Sequence, residues 1–146
     1  MECIYIDMCC LKRPFDDQSQ GRVWMETQAV MRILTACWIG LFKTHSSPAL
    51  LYENRMNPNP LRRMRVGEIL KGFEAPLPSA PGVYRRATII ARAGVDALDA
   101  VHLAFAEETK ADYFITCDDY LLGMAARLRL KTAIIDPIAF VKENNV

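Results

Sequence analysis

The chain has 146 residues, about one domain by length and enough to bury roughly two thirds of its unfolded surface around a real core. Hydrophobic residues make up 51% and charged residues 24%, ordinary globular values that exclude intrinsic disorder and fibrous repeats. Eighteen Lys and Arg against 17 Asp and Glu leave a net charge of +1, which excludes a globally basic nucleic-acid coat but not a local basic patch.

No apolar run approaches the ~18 residues of a transmembrane helix; the longest runs from Ala36 to Phe42. The opening MECIYIDMCC carries acids at Glu2 and Asp7, whereas a signal peptide needs basic residues and then a longer apolar stretch. The five cysteines (Cys3, Cys9, Cys10, Cys37 and Cys117) are odd in number and form no CxxC. A zinc site or disulfide framework is therefore disfavoured, and free thiols in a reducing cytoplasm are expected. Neither histidine, His45 or His102, has a Cys or His partner at metal-ligand spacing. Any metal is thus expected to be held by oxygen.

Residues 2–6, ECIYI, are short, apolar and end at an acid, which predicts a buried strand. Residues 10–18 are expected to be a loop, marked by Pro14, Asp16 and Asp17. From Ser19 to Phe42, apolar residues from Val23 through Cys37, Trp38 and Leu41 recur at spacings of three and four, which predicts a helix ending near Gly40. Residues 43–46 suit a short strand. Ser47 then suits an N-cap, with Pro48 at the first helical position. After the Asn57-Pro58-Asn59-Pro60 break, a second helix is expected from Leu61 to Gly72. Prolines at 76 and 78 make 73–79 extended or loop. Helices follow over 81–93, ending at Gly94, and over 97–109 with Leu98, Val101 and Phe105 on one side. Strands over 113–116 and 132–135 alternate with helices over 119–130 and 137–143. The alternation predicts an α/β domain with a parallel sheet.

In such a sheet, ligands bind beyond the carboxyl ends of the strands. Asp7 follows the first strand, and Asp118 and Asp119 follow strand 113–116. Asp99 lies in the first turn of the helix leading to that strand, and Glu53 on the helix after 43–46. Carboxylates gathered without a paired base repel one another, and a divalent cation relieves this. Oxygen donors alone favour Mg²⁺ or Mn²⁺. Each residue also has a plainer reading. Asp118 or Asp119 suits a helix N-cap, Asp99 a helix dipole, Glu53 a solvated helix face, Asp96 a cap or exposed acid, and His102 a packed or surface imidazole. Asp7, an acid among apolar neighbours, is the hardest to assign to structure alone.

The stretch GVDALDAVHLAFAEETKADYFITCDDYLL, residues 94–122, resembles the C-terminal signature of PIN-domain proteins. IYIDMCCLKRPFDDQ, residues 4–18, looks like the opening of one branch of that family, and SSPALLYE, residues 46–53, resembles the segment supplying its second acid. The resemblance implies a three-layer α/β/α domain with a central, mostly parallel sheet of four to five strands. It implies metal-dependent phosphodiester hydrolysis, usually of RNA. At this size it also implies a VapC-like ribonuclease toxin of a toxin–antitoxin pair. By position, the family's acids fall on Asp7, Glu53, Asp99 and Asp118, with Asp7, Asp99 and Asp118 on Mg²⁺ or Mn²⁺, and Thr116 is the threonine of its T-x-D element. Asp96 and Asp119 are possible accessories. Met8 and Cys9 stand where a small hydroxyl residue often follows the first aspartate.

Such chemistry needs an activated water, a neutralised phosphate and a stabilised leaving oxygen, all of which bound Mg²⁺ supplies. Cys117 has no nearby histidine in sequence and reads as packing. Arg55, Arg62, Arg63 and Arg65, with no acid between Asn54 and Gly67, form the best candidate for contact with RNA phosphates. A cognate antitoxin and a homodimer are the expected partners, and no membrane. Two other phosphoryl chemistries fit less well. A HAD-type phosphatase wants an aspartate at position 9, which is Cys, and a receiver domain wants an acidic pair where Asp7 stands alone. The remaining alternative is a catalytically weak PIN-like metal- or RNA-binding partner module.

Overall fold

The structure is a computed structural model that describes residues 1–76 and 81–146. Four short strands form one all-parallel sheet: β1 (Cys3–Ile6), β2 (Lys43–Thr44), β3 (Tyr113–Ile115) and β4 (Ala133–Ile135). Their order across the sheet is β2-β1-β3-β4. Ile4, Tyr5 and Ile6 lie opposite Tyr113, Phe114 and Ile115. Every residue of β1 is buried, as expected of a central parallel strand covered on both faces.

Alternation along the strands divides the core into two layers. Tyr5 stacks on Phe114, with ring centroids 5.4 Å apart, and its hydroxyl reaches His102 of helix α6 (Ala97–Glu108). Tyr113 packs edge-on at 5.2 Å against Phe140 of α8 (Pro137–Asn144), which also meets Phe42 at 5.2 Å. Helices thus cover both faces, and the fold is α/β with three layers. No helix among the described residues is long and apolar enough to cross a membrane.

Of residues 10–18, expected to be a loop, only 16–18 are one. Asp7 caps a short helix, α1 (Met8–Lys12), by accepting from the Met8 N–H at 2.8 Å. The apolar side chains Met8, Cys10 and Leu11 are buried beneath it. Pro14 then sits in a 3-10 turn, Arg13–Phe15, where its fixed φ fits and its missing N–H costs nothing. Helix α2 is shorter than expected, Gly21–Trp38. Trp38 and Leu41 are 61% and 52% exposed, so the apolar periodicity runs past the helix end and onto the surface. Gly40, at φ +83°, makes the turn that follows.

Ser47 and Pro48 open α3 (Pro48–Arg55), and α4 spans Pro60–Lys71. Strand β2 is only two residues long; beyond it, His45 bridges Glu74. Of the segment 73–79, residues 77–79 lie outside the described residues. Helix α5 (Pro81–Arg92) leads to Gly94 at φ +112°, a backbone that L side chains rarely adopt. Helix α6 is buried nearly all round rather than on one side, and His102 is wholly enclosed. Helix α7 (Asp119–Leu128) ends at Arg129, in the left-handed region at φ +47°.

Candidate functional site

The chain leaves β1 toward β2 on one side of the sheet and leaves β3 toward β4 on the other. The point where the connections diverge lies between the carboxyl ends of β1 and β3. In open parallel sheets this is where a crevice forms. Asp7 and Thr116 are the residues that immediately follow these two strands.

Asp7 is 5% exposed and both of its oxygens are engaged. Oδ1 caps α1, while Oδ2 accepts from the Thr116 hydroxyl at 2.8 Å and from the Cys9 thiol at 3.4 Å. Thr116 Oγ1 also accepts the Asp118 N–H at 3.1 Å, so one buried hydroxyl ties the two strand ends together. Asp118 caps α7, accepting from the Tyr120 N–H at 2.8 Å and the Leu121 N–H at 3.3 Å. The capping reading and the site reading of Asp118 are therefore compatible.

Asp99 approaches from the first turn of α6. Burial first, then the charges of Asp7 and Asp118, push its carboxyl up to about 7, against a pull from His102; Asp96 adds to the rise. Burial, reinforced by Cys9, drives the Asp7 carboxyl up to about 8, although His102 and the Thr116 hydrogen bond oppose it. Asp99 thus lies within electrostatic reach of both Asp7 and Asp118 at the carboxyl end of the sheet.

Glu53 joins through a buried relay. The His102 ring lies 2.8 Å from the Tyr5 hydroxyl at Nδ1 and 3.0 Å from Glu53 Oε1 at Nε2. The Tyr5 hydroxyl lies 2.6 Å from Ser47 Oγ, which accepts the Leu50 N–H at 3.1 Å. For a neutral ring, every donor is satisfied when Ser47 donates to Tyr5, Tyr5 to Nδ1, and Nε2 to Glu53. Burial pulls the imidazole pKa down. The hydrogen bond to Glu53 and the charges of Asp7, Glu53 and Asp99 outweigh it and hold the ring above its ordinary value. His102 is thus neither a surface imidazole nor simple packing but the group that orients Glu53. Its sequence signal, a histidine three residues after Asp99, is too common to single it out.

The accessory acids differ. Asp96 is exposed at the N-cap of α6, with no capping bond from its side chain. Asp119 points to a base: Arg22 grips it with two hydrogen bonds, of 2.8 and 2.7 Å. The four arginines are not equivalent either. Arg62 reaches Asp16 at 3.2 Å and also bonds the Phe15 carbonyl, clamping α4 to the 3-10 turn. Arg63 donates to the Asn57 carbonyl at 2.7 Å, and Arg65 lies 3.9 Å from Glu68. Arg55 is exposed.

The thiols do not stay apart. Cys9, Cys10 and Cys117 bring their sulfurs within 4.8 Å of one another beside Asp7. Among the described residues no three acids bring ligand atoms as close together.

No protein-family model matches the chain, and no curated protein matches it at a significant level. Fold and site together define a class no finer than a parallel α/β domain with Asp7 and Asp118 following the strands at its switch point.

Proposed function

We propose that the protein is a metal-dependent endoribonuclease of the PIN-domain type, the VapC-like toxin of a toxin–antitoxin pair. The observation that carries this reading is that Asp7 and Asp118 act on Asp99 from separate elements at the carboxyl end of the sheet and raise its carboxyl, with His102 as the opposing charge. Hard oxygen donors of this kind suit Mg²⁺ or Mn²⁺. Mg²⁺ keeps several of its waters and takes one or two carboxylates directly, so the three acids need not all reach it at once. Asp7, Asp99 and Asp118 would hold the ion, with Glu53 beside them. When bound, it supplies an activated water and neutralises charge on the phosphate.

The chain's own residues do the positioning. Thr116 fixes Asp7 Oδ2, and His102 fixes Glu53 Oε1. The exposed arginines near Glu53, Arg55 above all, meet the RNA backbone. The proposal includes an antitoxin that restrains the enzyme and a homodimer as its resting assembly.

A second reading, a catalytically weak binding module, is favoured by one observation: both oxygens of Asp7 already serve the fold. One experiment separates the two. Partner-free protein is incubated with single-stranded RNA and Mg²⁺ or Mn²⁺. The nuclease reading expects cleavage that EDTA stops and that Asp7→Asn lowers by orders of magnitude while the fold persists. Equal cleavage by wild type and variant would eliminate it.

A further inference from the structure

Cys9 and Cys10 are neighbours in α1, and Cys117 follows Thr116 more than a hundred residues later. The sheet edge brings them together. Cys10 Sγ lies 3.5 Å from Cys117 Sγ, and the Cys117 N–H donates to Cys9 Sγ at 3.3 Å. The Cys9 sulfur is also 3.4 Å from Thr116 Oγ1 and 3.4 Å from Asp7 Oδ2, and Cys10 Sγ is 3.5 Å from the Ile115 carbonyl. Three soft donors therefore lie within 4.8 Å of one another, and Asp7 stands beside Cys9 outside that group.

A tetrahedral zinc ion with Zn–S near 2.3 Å sets its sulfurs about 3.8 Å apart. The Cys10–Cys117 separation of 3.5 Å falls within a few tenths of an ångström of that value. Charge is also provided for. Arg13 lies within electrostatic reach of Cys117, and Arg22 donates to the Cys117 carbonyl at 3.2 Å. Two cations thus flank the place where thiolates would gather. Cys10 and Cys117 are buried and Cys9 is half-buried, so the pocket opens to solvent over Cys9.

We propose that Cys9, Cys10 and Cys117 form a thiolate site for zinc, with the fourth position left to water. Binding releases the thiol protons to bulk solvent and requires no oxidant. The site uses none of the carboxylates that the nuclease reading assigns to its metal.

Cobalt is the probe for the test. The full chain is reduced, stripped of metal and titrated with Co²⁺. One equivalent should produce thiolate-to-cobalt charge transfer and the intense visible bands of tetrahedral cobalt, both abolished by one equivalent of Zn²⁺ and unaffected by excess Mg²⁺. Cys10→Ser and Cys117→Ser should weaken binding by more than the roughly 10–100-fold that loss of an outer-shell partner costs. Cys37→Ser, which removes a thiol from the far end of α2, should bind as wild type does. If either serine variant fails to fold, alkylation of the wild type decides. Zinc should slow the labelling of Cys9, the partly exposed thiol of the three, while leaving that of Cys37 unchanged. Absence of the charge-transfer band at saturating cobalt would overturn the site, as would zinc that leaves Cys9 as reactive as in the metal-free protein. Neither readout involves RNA, so the nuclease reading can fail while the zinc site holds, and the reverse.

Discussion

Asp7 shows how one carboxyl serves two demands. Its burial and the neighbouring Cys9 favour the protonated form, so the folded chain holds a proton that the unfolded chain, with a carboxyl near 3.9, gives up. The sign follows from linkage: between about pH 4 and pH 8 the native state binds more protons, so stability falls as pH rises. Asp99, raised to about 7, acts in the same direction. So does His102, whose contribution is complete below its ordinary value and fades as pH climbs through its higher folded one. In EDTA, denaturant midpoints should therefore drop steadily from pH 5 to pH 8. Asp7→Asn should flatten that slope and leave the metal-free protein more stable than wild type at pH 8. A midpoint that rises with pH would show that the acids are not buried against one another as described.

Among the helices, α3 depends most visibly on a single residue. Ser47 caps it through the Leu50 N–H and also receives the Tyr5 hydroxyl contact in the wholly buried relay. Ser47→Ala should cost about 1–2 kcal/mol from the lost cap, plus part of the penalty for a less satisfied Tyr5 hydroxyl; urea denaturation measures the sum. Helix α4 offers a contrast among its arginines. Arg62→Ala should loosen the junction with the 3-10 turn and lower stability, because its guanidinium is already committed to Asp16 and Phe15. Arg55→Ala should instead leave stability unchanged. If Arg55 contacts RNA phosphate, its loss should reduce the salt slope of binding by about 1, read by fluorescence anisotropy across a salt series.

For the molecule as a whole, the parallel sheet and the acids at its carboxyl edge are legible in the sequence, since strand ends and apolar runs are local signals. Ser47 followed by Pro48 is equally plain. Helix α1 is not, because Pro14 looks like a breaker until the burial of Met8, Cys10 and Leu11 shows what holds the turn. The thiol cluster and the His102 relay are hidden for a different reason. Both join residues many tens of positions apart, and no spacing rule sees across a sheet. Surface apolar groups such as Trp38, Ile39 and Leu41, each more than half exposed, show that the core does not absorb all the greasy residues. Light scattering at micromolar concentration should give twice the 16.5 kDa chain mass, as the proposed dimer requires; the monomer mass would refute it.

The pairing of β1 with β3 has a consequence for timing. Residues 3–6 are made early, yet their inner neighbours, residues 113–115, come about 110 positions later. At translation rates of about 5–20 residues per second, that interval is roughly 5–20 s. Until it ends, β1 has only the two-residue β2 to lie beside, and Asp7 has neither Thr116 nor Asp118 near it. Such long-range closure is also slow once the chain is free. The junction of Asp7 with Thr116 and Asp118 therefore cannot form until both strand ends have been made, and a nascent chain that stops short of β3 carries Asp7 without the partners that fix it.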